Sequence, residues 1–91
     1  MTDHLFQAIH TATGITKAEI QSSSRKAGYV CARRIITYYL RQQGFTSRYI
    51  GKVINRDHAS VSHLALSNDG EYRYNKGYRE MFDAVSKLLL R

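Results

Sequence analysis

Proline is absent from this 91-residue chain, and it has no tryptophan and a single cysteine. Without proline, the strongest helix breaker is missing from the whole sequence. Cys31 alone cannot form a disulfide within the chain, so a reducing cytoplasm is the simplest location. No apolar run reaches the ~20 residues of a membrane span, and the start, M-T-D-H-L-F-Q, does not resemble a signal peptide. The sequence therefore predicts one cytoplasmic domain, residues 1–91, without a membrane partner.

Acidic residues are also missing from the middle of the chain. Positions 25–56 contain no aspartate or glutamate, whereas the charges before and after them nearly cancel. A solvated helix usually mixes both signs and gains i,i+4 pairs, and a block of one sign repels itself. Such a block is typical of a surface that binds a polyanion such as nucleic acid, although a generic basic surface has the same composition. The block consists of Arg25, Lys26, Arg33, Arg34, Arg41, Arg48, Lys52 and Arg56.

The spacing of apolar residues is helical throughout, at three and four positions. Helix stops are expected at Gly14 and Gly44, and a turn at Asn68-Asp69-Gly70. We expect caps from Thr16, from the serine run 22–24, from Thr46 and from Asp57. The sequence thus predicts a compact all-α domain of about six helices, at about residues 3–13, 17–21, 25–43, 47–54, 58–67 and 71–90.

The fourth and fifth of these helices have the pattern of a helix-turn-helix, at about residues 47–66. Ile50 and Ile54 lie one turn apart, and Val61 continues the apolar face after the turn. Gly51 leaves room for a close crossing, and Asn55 tolerates the left-handed conformation of a tight turn. An ordinary helical hairpin is the alternative, but it needs no small residue beside Ile50.

The exposed start of the fifth helix carries groups that suit the major groove of DNA. Arginine binds guanine or phosphate, aspartate accepts from the cytosine amino group, and an alanine methyl contacts that of thymine. Each residue also has a plain structural explanation: Asp57 as a helix cap, His63 as a phosphate or water ligand, Ser60 as a solvated residue. The candidate residues here are Arg56, Asp57, His58, Ala59, Ser60 and His63.

These residues make the chain resemble the C-terminal DNA-binding domain, domain IV, of the bacterial replication initiator DnaA. The resemblance covers about residues 9–66 and rests on I-T-K-A-E-I at 15–20, S-R-K at 24–26, A-R-R-I-I-T-Y-Y-L at 32–40, I-G at 50–51 and R-D-H-A-S-V-S-H at 56–63. In that family the R-D-H stretch opens a recognition helix that reads bases in the major groove. The resemblance implies a Trp-repressor-like helix-turn-helix fold and DnaA-box recognition at a replication origin.

The same resemblance implies roles for residues outside the fifth helix. Arg25 matches an arginine that the family inserts in the minor groove, and Arg33 matches an arginine of the long helix. Ser47 and Arg48 match the start of the family's fourth helix, where the backbone meets phosphate. We therefore expect Arg33, Arg48 and Lys52 to hold phosphates of double-stranded DNA, in a cytoplasmic protein associated with the nucleoid.

The sequence departs from the family pattern at several positions. I-N-R-D-H is one residue shorter than usual and lacks two glycines, Ala59 replaces a residue with a hydroxyl, and Ser62 replaces an apolar one. No G-x-x-x-x-G-K-[ST] loop occurs, so we expect this domain to bind no nucleotide. A free-standing domain, such as a phage or accessory protein that competes for initiator boxes, and a piece of a longer initiator both fit the sequence. A transcription regulator is a further alternative.

Other classes of protein fit less well. The four histidines form no H-E-x-x-H motif, and the chain has neither paired cysteines nor a nucleophile elbow, so we expect no enzyme, no metal and no cofactor. Seven tyrosines offer stacking surfaces for single-stranded nucleic acid, although most have core spacing and Tyr29 is the exception. A protein-interaction module that docks through the last helix is the third alternative.

Overall fold

Residues 2–90 are described by a computed structural model and form helices joined by short connections. Met1 and Arg91, the ends of the predicted 1–91 domain, lie outside the described residues. The predicted all-α class is confirmed, since residues 2–90 contain six helices and no strand. The helices are α1 (Thr2–Thr13), α2 (Lys17–Ile20), α3 (Ala27–Gln42), α4 (Ser47–Ile54), α5 (His58–Tyr74) and α6 (Lys76–Leu89).

Helix α3 lies at the centre and contacts each of the other five helices. Its residues Ala32, Ile35, Ile36 and Leu40 are buried, and each of the three larger side chains contributes about 1.5–3 kcal/mol. Ala27, at the first position of α3, is exposed. The other helices bring their apolar faces to α3 through Leu5, Phe6, Ile9, Ile20, Ile50, Ile54, Val61, Leu64, Tyr78 and Val85.

The predicted turn at Asn68-Asp69-Gly70 is wrong, because α5 continues through it to Tyr74. Asn68 is buried, and its side-chain oxygen accepts a hydrogen bond from the Tyr78 hydroxyl, which holds this part of α5 against α6. The chain turns at Asn75 instead, whose side chain accepts from the backbone N–H of Tyr78 and caps α6. Turn propensity is a weak preference that such packing overrides. Tyr74, within the range predicted for the last helix, lies in α5 and is 83% exposed.

The start of α3 also differs from the prediction. The helix begins at Ala27, and its N-cap residue, Lys26, makes no side-chain cap. The serine run forms an irregular segment instead, in which the Ser24 hydroxyl accepts from the backbone N–H of Lys26. Arg25 therefore lies in a connecting loop and not on the helix. Among residues 2–90, no helix is both long and apolar enough to span a membrane.

Candidate nucleic-acid interface

The connection between α4 and α5 is a tight helix-turn-helix turn, as predicted. Asn55 adopts the left-handed conformation, with φ 58°, and ends α4. The backbone N–H of Arg56 donates to the carbonyl oxygen of Gly51 at 2.8 Å. A Cβ atom on Gly51 would lie 2.4 Å from the Arg56 carbonyl oxygen, a distance that no side chain tolerates. Gly51 is therefore required by the backbone of the turn, more than by a side chain of the second helix.

The N-terminus of α5 is capped by Asp57. Its Oδ1 atom accepts from the backbone N–H of Ser60 at 2.7 Å, and this bond holds the pKa of the Asp57 carboxyl below its usual range. The predicted capping role is thus confirmed, and the other carboxylate oxygen has no bond among the described contacts. Val61 and Leu64 face the core, as predicted. His58, Ala59 and His63 are exposed, and Ser60 is half-buried.

Helix α4 contributes the second edge of the site. Thr46 caps it by accepting from the backbone N–H of Tyr49, as predicted. The Ser47 hydroxyl accepts from Nη1 of Arg41 at 2.9 Å, so Ser47 is engaged with a neighbouring cation. Arg48 and Lys52 are exposed and lie one helical turn apart on α4. Unpaired N–H groups at a helix N-terminus attract anions, which suits the expected phosphate contact at Ser47 and Arg48.

Two clefts flank the start of α5 and share Arg56. The loop cleft, of about 450 Å³, lies between the 22–26 segment, α3 and α5. The turn cleft, of about 640 Å³, lies between α4 and α5. Together they contain every predicted site residue except Ser47. The loop cleft is lined by Arg25, Arg33, Arg56, Ala59, Ser60 and His63, and the turn cleft by Arg48, Lys52, Arg56, Asp57 and His58.

Arg33, expected to hold a phosphate, has its side chain engaged inside the fold. Arg33 is 2% exposed, and its Nε atom donates to the Ile20 carbonyl at 2.7 Å while Nη2 donates to the Ser22 carbonyl at 2.8 Å. Burial, and then the positive charge of Arg56, lower the pKa of its guanidinium. Arg34 is also buried: it donates to the Ser67 hydroxyl and lies over the ring of Tyr78. Two of the eight basic residues of the 25–56 block therefore face inward.

Arg25 and Arg56 differ in what holds them. Arg25 is exposed in the loop before α3. Arg56 is half-buried, donating from Nη2 to the Ser22 carbonyl and from Nη1 to the Asn55 carbonyl. The base-reading residue expected from its position is thus already bonded to the backbone. Its partner Ser22, and Gln21 beside it, were expected only to end α2 and to cap α3.

Tyr29 is bonded within the fold. Its hydroxyl donates to Glu19 Oε2 at 2.5 Å, and the Lys26 ammonium lies over the ring, 5.6 Å from its centre. Glu19 also completes the predicted capping box with Thr16. These contacts favour a supporting role for the Tyr29 ring over a free stacking surface for single strands.

Metal ligands do not gather anywhere in residues 2–90: no group of three or more histidine, cysteine, aspartate or glutamate side chains is placed to hold an ion. The buried side-chain polar atoms of the described residues all have a hydrogen-bond partner.

Comparison with known proteins agrees with this geometry. The family model for the bacterial dnaA protein helix-turn-helix matches residues 2–65, which include α1 to α4 and the first half of α5. The chromosomal replication initiator protein DnaA of Bacteroides fragilis (strain YCH46) is 29% identical over 89 residues. The match covers 96% of this chain but only 19% of that relative. No solved structure matches the chain. The chain belongs to the bacterial DnaA helix-turn-helix family of DNA-binding domains.

Proposed function

We propose that the domain binds double-stranded DNA sequence-specifically, with the N-terminal end of α5 in the major groove. The observation that carries the proposal is the arrangement at this end: His58, Ala59 and His63 are exposed, while Val61 and Leu64 of the same helix anchor it to the core. A recognition helix docks in this manner, with its first residues toward the base edges.

The base-reading groups in this proposal are Asp57, His58 and Ala59. The free carboxylate oxygen of Asp57 accepts from a cytosine amino group while the other oxygen caps α5. The His58 ring bonds a base edge, and the Ala59 methyl contacts a thymine methyl. Ser60 and His63, further along the loop cleft, complete the contacts to bases and phosphates.

The phosphate contacts come from both sides of the recognition helix. Arg48 and Lys52 line the turn cleft, and the start of α4 adds N–H donors at Ser47. Arg25, on the exposed loop at the other side, reaches the adjacent minor groove. If about four to six phosphates are neutralised, log K falls against log salt concentration with a slope of about −4 to −5.

The biological role that we propose is recognition of initiator boxes, as the relative's name, chromosomal replication initiator protein, suggests. The activity is binding without catalysis, in the cytoplasm at the nucleoid, and this domain uses no nucleotide, metal or other cofactor. Because the chain spans about a fifth of that relative's length, the proposal covers DNA recognition alone.

Fluorescence anisotropy at two salt concentrations tests the proposal. The probes are a duplex that carries an initiator box, a scrambled duplex of equal composition and a single strand. We expect tight, box-selective binding to the first. Equal, weak and salt-sensitive binding to all three would overturn it.

Three variants separate the roles of the residues. Arg48→Ala is expected to weaken binding to both duplexes alike, because phosphate is the same in every sequence. His58→Ala is expected to weaken the box duplex more, by about tenfold, and so to flatten selectivity. Arg73→Ala is the matched control, since Arg73 is equally exposed at the far end of α5. Equal losses from all three would show a general charge effect instead of base recognition.

A further inference from the structure

The backbone carbonyl groups at the end of α2 collect donors from two distant parts of the chain. The Ser22 carbonyl oxygen accepts from Nη2 of Arg33 and from Nη2 of Arg56, each at 2.8 Å. Arg33 also donates from Nε to the Ile20 carbonyl at 2.7 Å. A hydrogen bond from a charged donor is roughly twice as strong as a neutral one, so these bonds fix Ser22 firmly.

Two amide side chains join the same region to the helix-turn-helix. The Gln21 amide donates to the Val53 carbonyl at 2.9 Å, and the Asn55 amide donates to the Gln21 carbonyl at 3.0 Å. The two bonds run in opposite directions between α2 and the turn. We call the set of Gln21, Arg33, Asn55 and Arg56 the carbonyl clamp.

The segment between Ser22 and α3 is held at its two ends, by the bonds to the Ser22 carbonyl and by Lys26, the N-cap residue of α3. Residues 23–27 are exposed, and its described bonds are local, between Ser24 and Ser22 and between Lys26 and Ser24. The direction in which this segment leaves the core is therefore set where Ser22 is fixed. Arg25 lies three residues beyond that point.

We propose that the carbonyl clamp is a positioning device that holds the Arg25 loop in register with the N-terminus of α5, so that the two enter adjacent grooves of DNA as one unit. The inference rests on the proposed function and adds Gln21 and Asn55 as positioning residues for it. Arg56 belongs to the clamp and lines both clefts, so it links the loop to the recognition helix.

The charges of the two clamp arginines also favour a clamp that acts on DNA. Two guanidinium groups on one carbonyl oxygen repel each other. The phosphates of a bound duplex offset this repulsion, which makes the clamp most favourable when the domain is on DNA.

The test is a double-mutant cycle between Gln21 and Arg25, with affinity for an initiator-box duplex as the readout. Gln21→Ala removes a clamp bond without touching the proposed DNA contacts. We expect Gln21→Ala to weaken binding about fivefold and Arg25→Ala about tenfold, and the double variant to bind no more weakly than Arg25→Ala. Losses that multiply, or no loss from either single variant, would overturn the clamp.

A second variant keeps the test valid if Gln21→Ala unfolds. Asn55→Gly removes the other amide, and glycine keeps the left-handed backbone that Asn55 adopts. We expect Asn55→Gly to weaken DNA binding when Arg25 is present and to have no further effect in Arg25→Ala. Gln42→Ala, at an exposed glutamine near the end of α3, is the matched control and should change nothing. A merely structural role would lower the melting temperature and weaken binding whether or not Arg25 is present.

The cycle also separates this inference from the proposed function. If the unmodified domain does not prefer the box duplex, both are overturned. If it does, and the losses at Gln21 and Arg25 are independent, only the clamp is overturned.

Discussion

Two corners of the molecule, one where α2 meets the helix-turn-helix and one where α5 meets α6, are held mainly by different kinds of contact. Where α2 meets the helix-turn-helix, the contacts are directional bonds to backbone carbonyls from Gln21, Arg33 and Arg56. Where α5 meets α6, the contacts are mainly aromatic, with Phe82 against Tyr72 and Tyr78, and the bond from the Tyr78 hydroxyl to Asn68 adds to them. Hydrogen bonds specify orientation but add little net stability, whereas apolar burial stabilises without direction. The first corner therefore sets the geometry of the DNA site, and the second contributes mainly to the stability of the fold.

Neighbouring arginines show the same contrast. Arg33 points to the first corner and binds carbonyl oxygens, while Arg34 points to the second and lies over the ring of Tyr78, 5.3 Å from its centre. One side chain is used for orientation and the other for packing. Substitutions that act on only one corner should therefore separate DNA affinity from stability.

The largest effect on stability and on DNA binding is expected from Gly51→Ala. The new Cβ would lie 2.4 Å from the Arg56 carbonyl oxygen, which is backbone and cannot rotate away. We expect a loss of roughly 2 kcal/mol or more of unfolding free energy, together with weaker DNA binding, because the turn must shift. Denaturant unfolding and anisotropy measure the two effects.

The control for this substitution is Gly70→Ala. Gly70 lies inside α5 with nothing within 4 Å of the place where a Cβ would be, so the change should stabilise the domain by about 0.5–1 kcal/mol. If Gly51→Ala is as well tolerated as Gly70→Ala, the tight turn described above is incorrect.

The second effect, at the aromatic corner, is expected from Tyr78→Phe. This change removes the hydroxyl that donates to Asn68 and leaves the buried Asn68 oxygen without a partner. We expect a loss of about 1–3 kcal/mol in stability with unchanged affinity for DNA. Tyr74→Phe, at an exposed tyrosine, should change neither the stability nor the affinity for DNA. A change in DNA selectivity in Tyr78→Phe would contradict the separation of the two corners.

A smaller effect is expected at the start of α5. Asp57→Ala removes the cap on Ser60 and should lower Tm by roughly 5 °C, whereas Asp57→Asn keeps an oxygen that caps equally well. Both variants should lose selectivity at one base pair, since neither offers a carboxylate to cytosine. Thermal melts and anisotropy on single-substitution duplexes test this. Full selectivity in Asp57→Asn would limit Asp57 to capping.

The smallest effect is expected on acidification. Hydrogen bonds hold the pKa of Asp57 below 3.8 and that of Glu19 below 4.5, their ordinary values. A carboxyl whose pKa is lower in the folded state stabilises the fold above its unfolded pKa, and this contribution is lost as pH falls through the folded pKa. Unfolding free energy should therefore decline below about pH 4, and less steeply in Asp57→Asn. A decline of the same slope in that variant would rule out the Asp57 contribution.

Sequence reasoning succeeded where the constraint is local. Gly51, Asn55 and Asp57 each meet a steric or capping requirement that depends on a few neighbouring residues, and each was found in its predicted role. The exposed side of α5 follows from the same register. These residues were enough to predict the helix-turn-helix, and most of the candidate residues line the two clefts beside it.

Sequence reasoning failed where the conformation of a residue depends on a group that is distant in the sequence. The burial of Arg33 depends on carbonyl oxygens at Ile20 and Ser22, and every residue has a carbonyl, so no pattern in the sequence marks these two. The turn signal at Asn68 was overridden by Tyr78, ten residues later. The two amide bonds of the clamp join residues more than thirty positions apart, and these amides resemble ordinary surface residues.

Asn75 has a consequence for how this domain tolerates changes in length. It is the single residue between α5 and α6, and it caps the second helix while its own N–H bonds to the Glu71 carbonyl of the first. Because each helical residue turns the chain by about 100°, one inserted or deleted residue here would rotate the inward faces of Tyr78 and Val85 away from the core. The spacing from α5 to α6 should therefore be fixed wherever this domain folds.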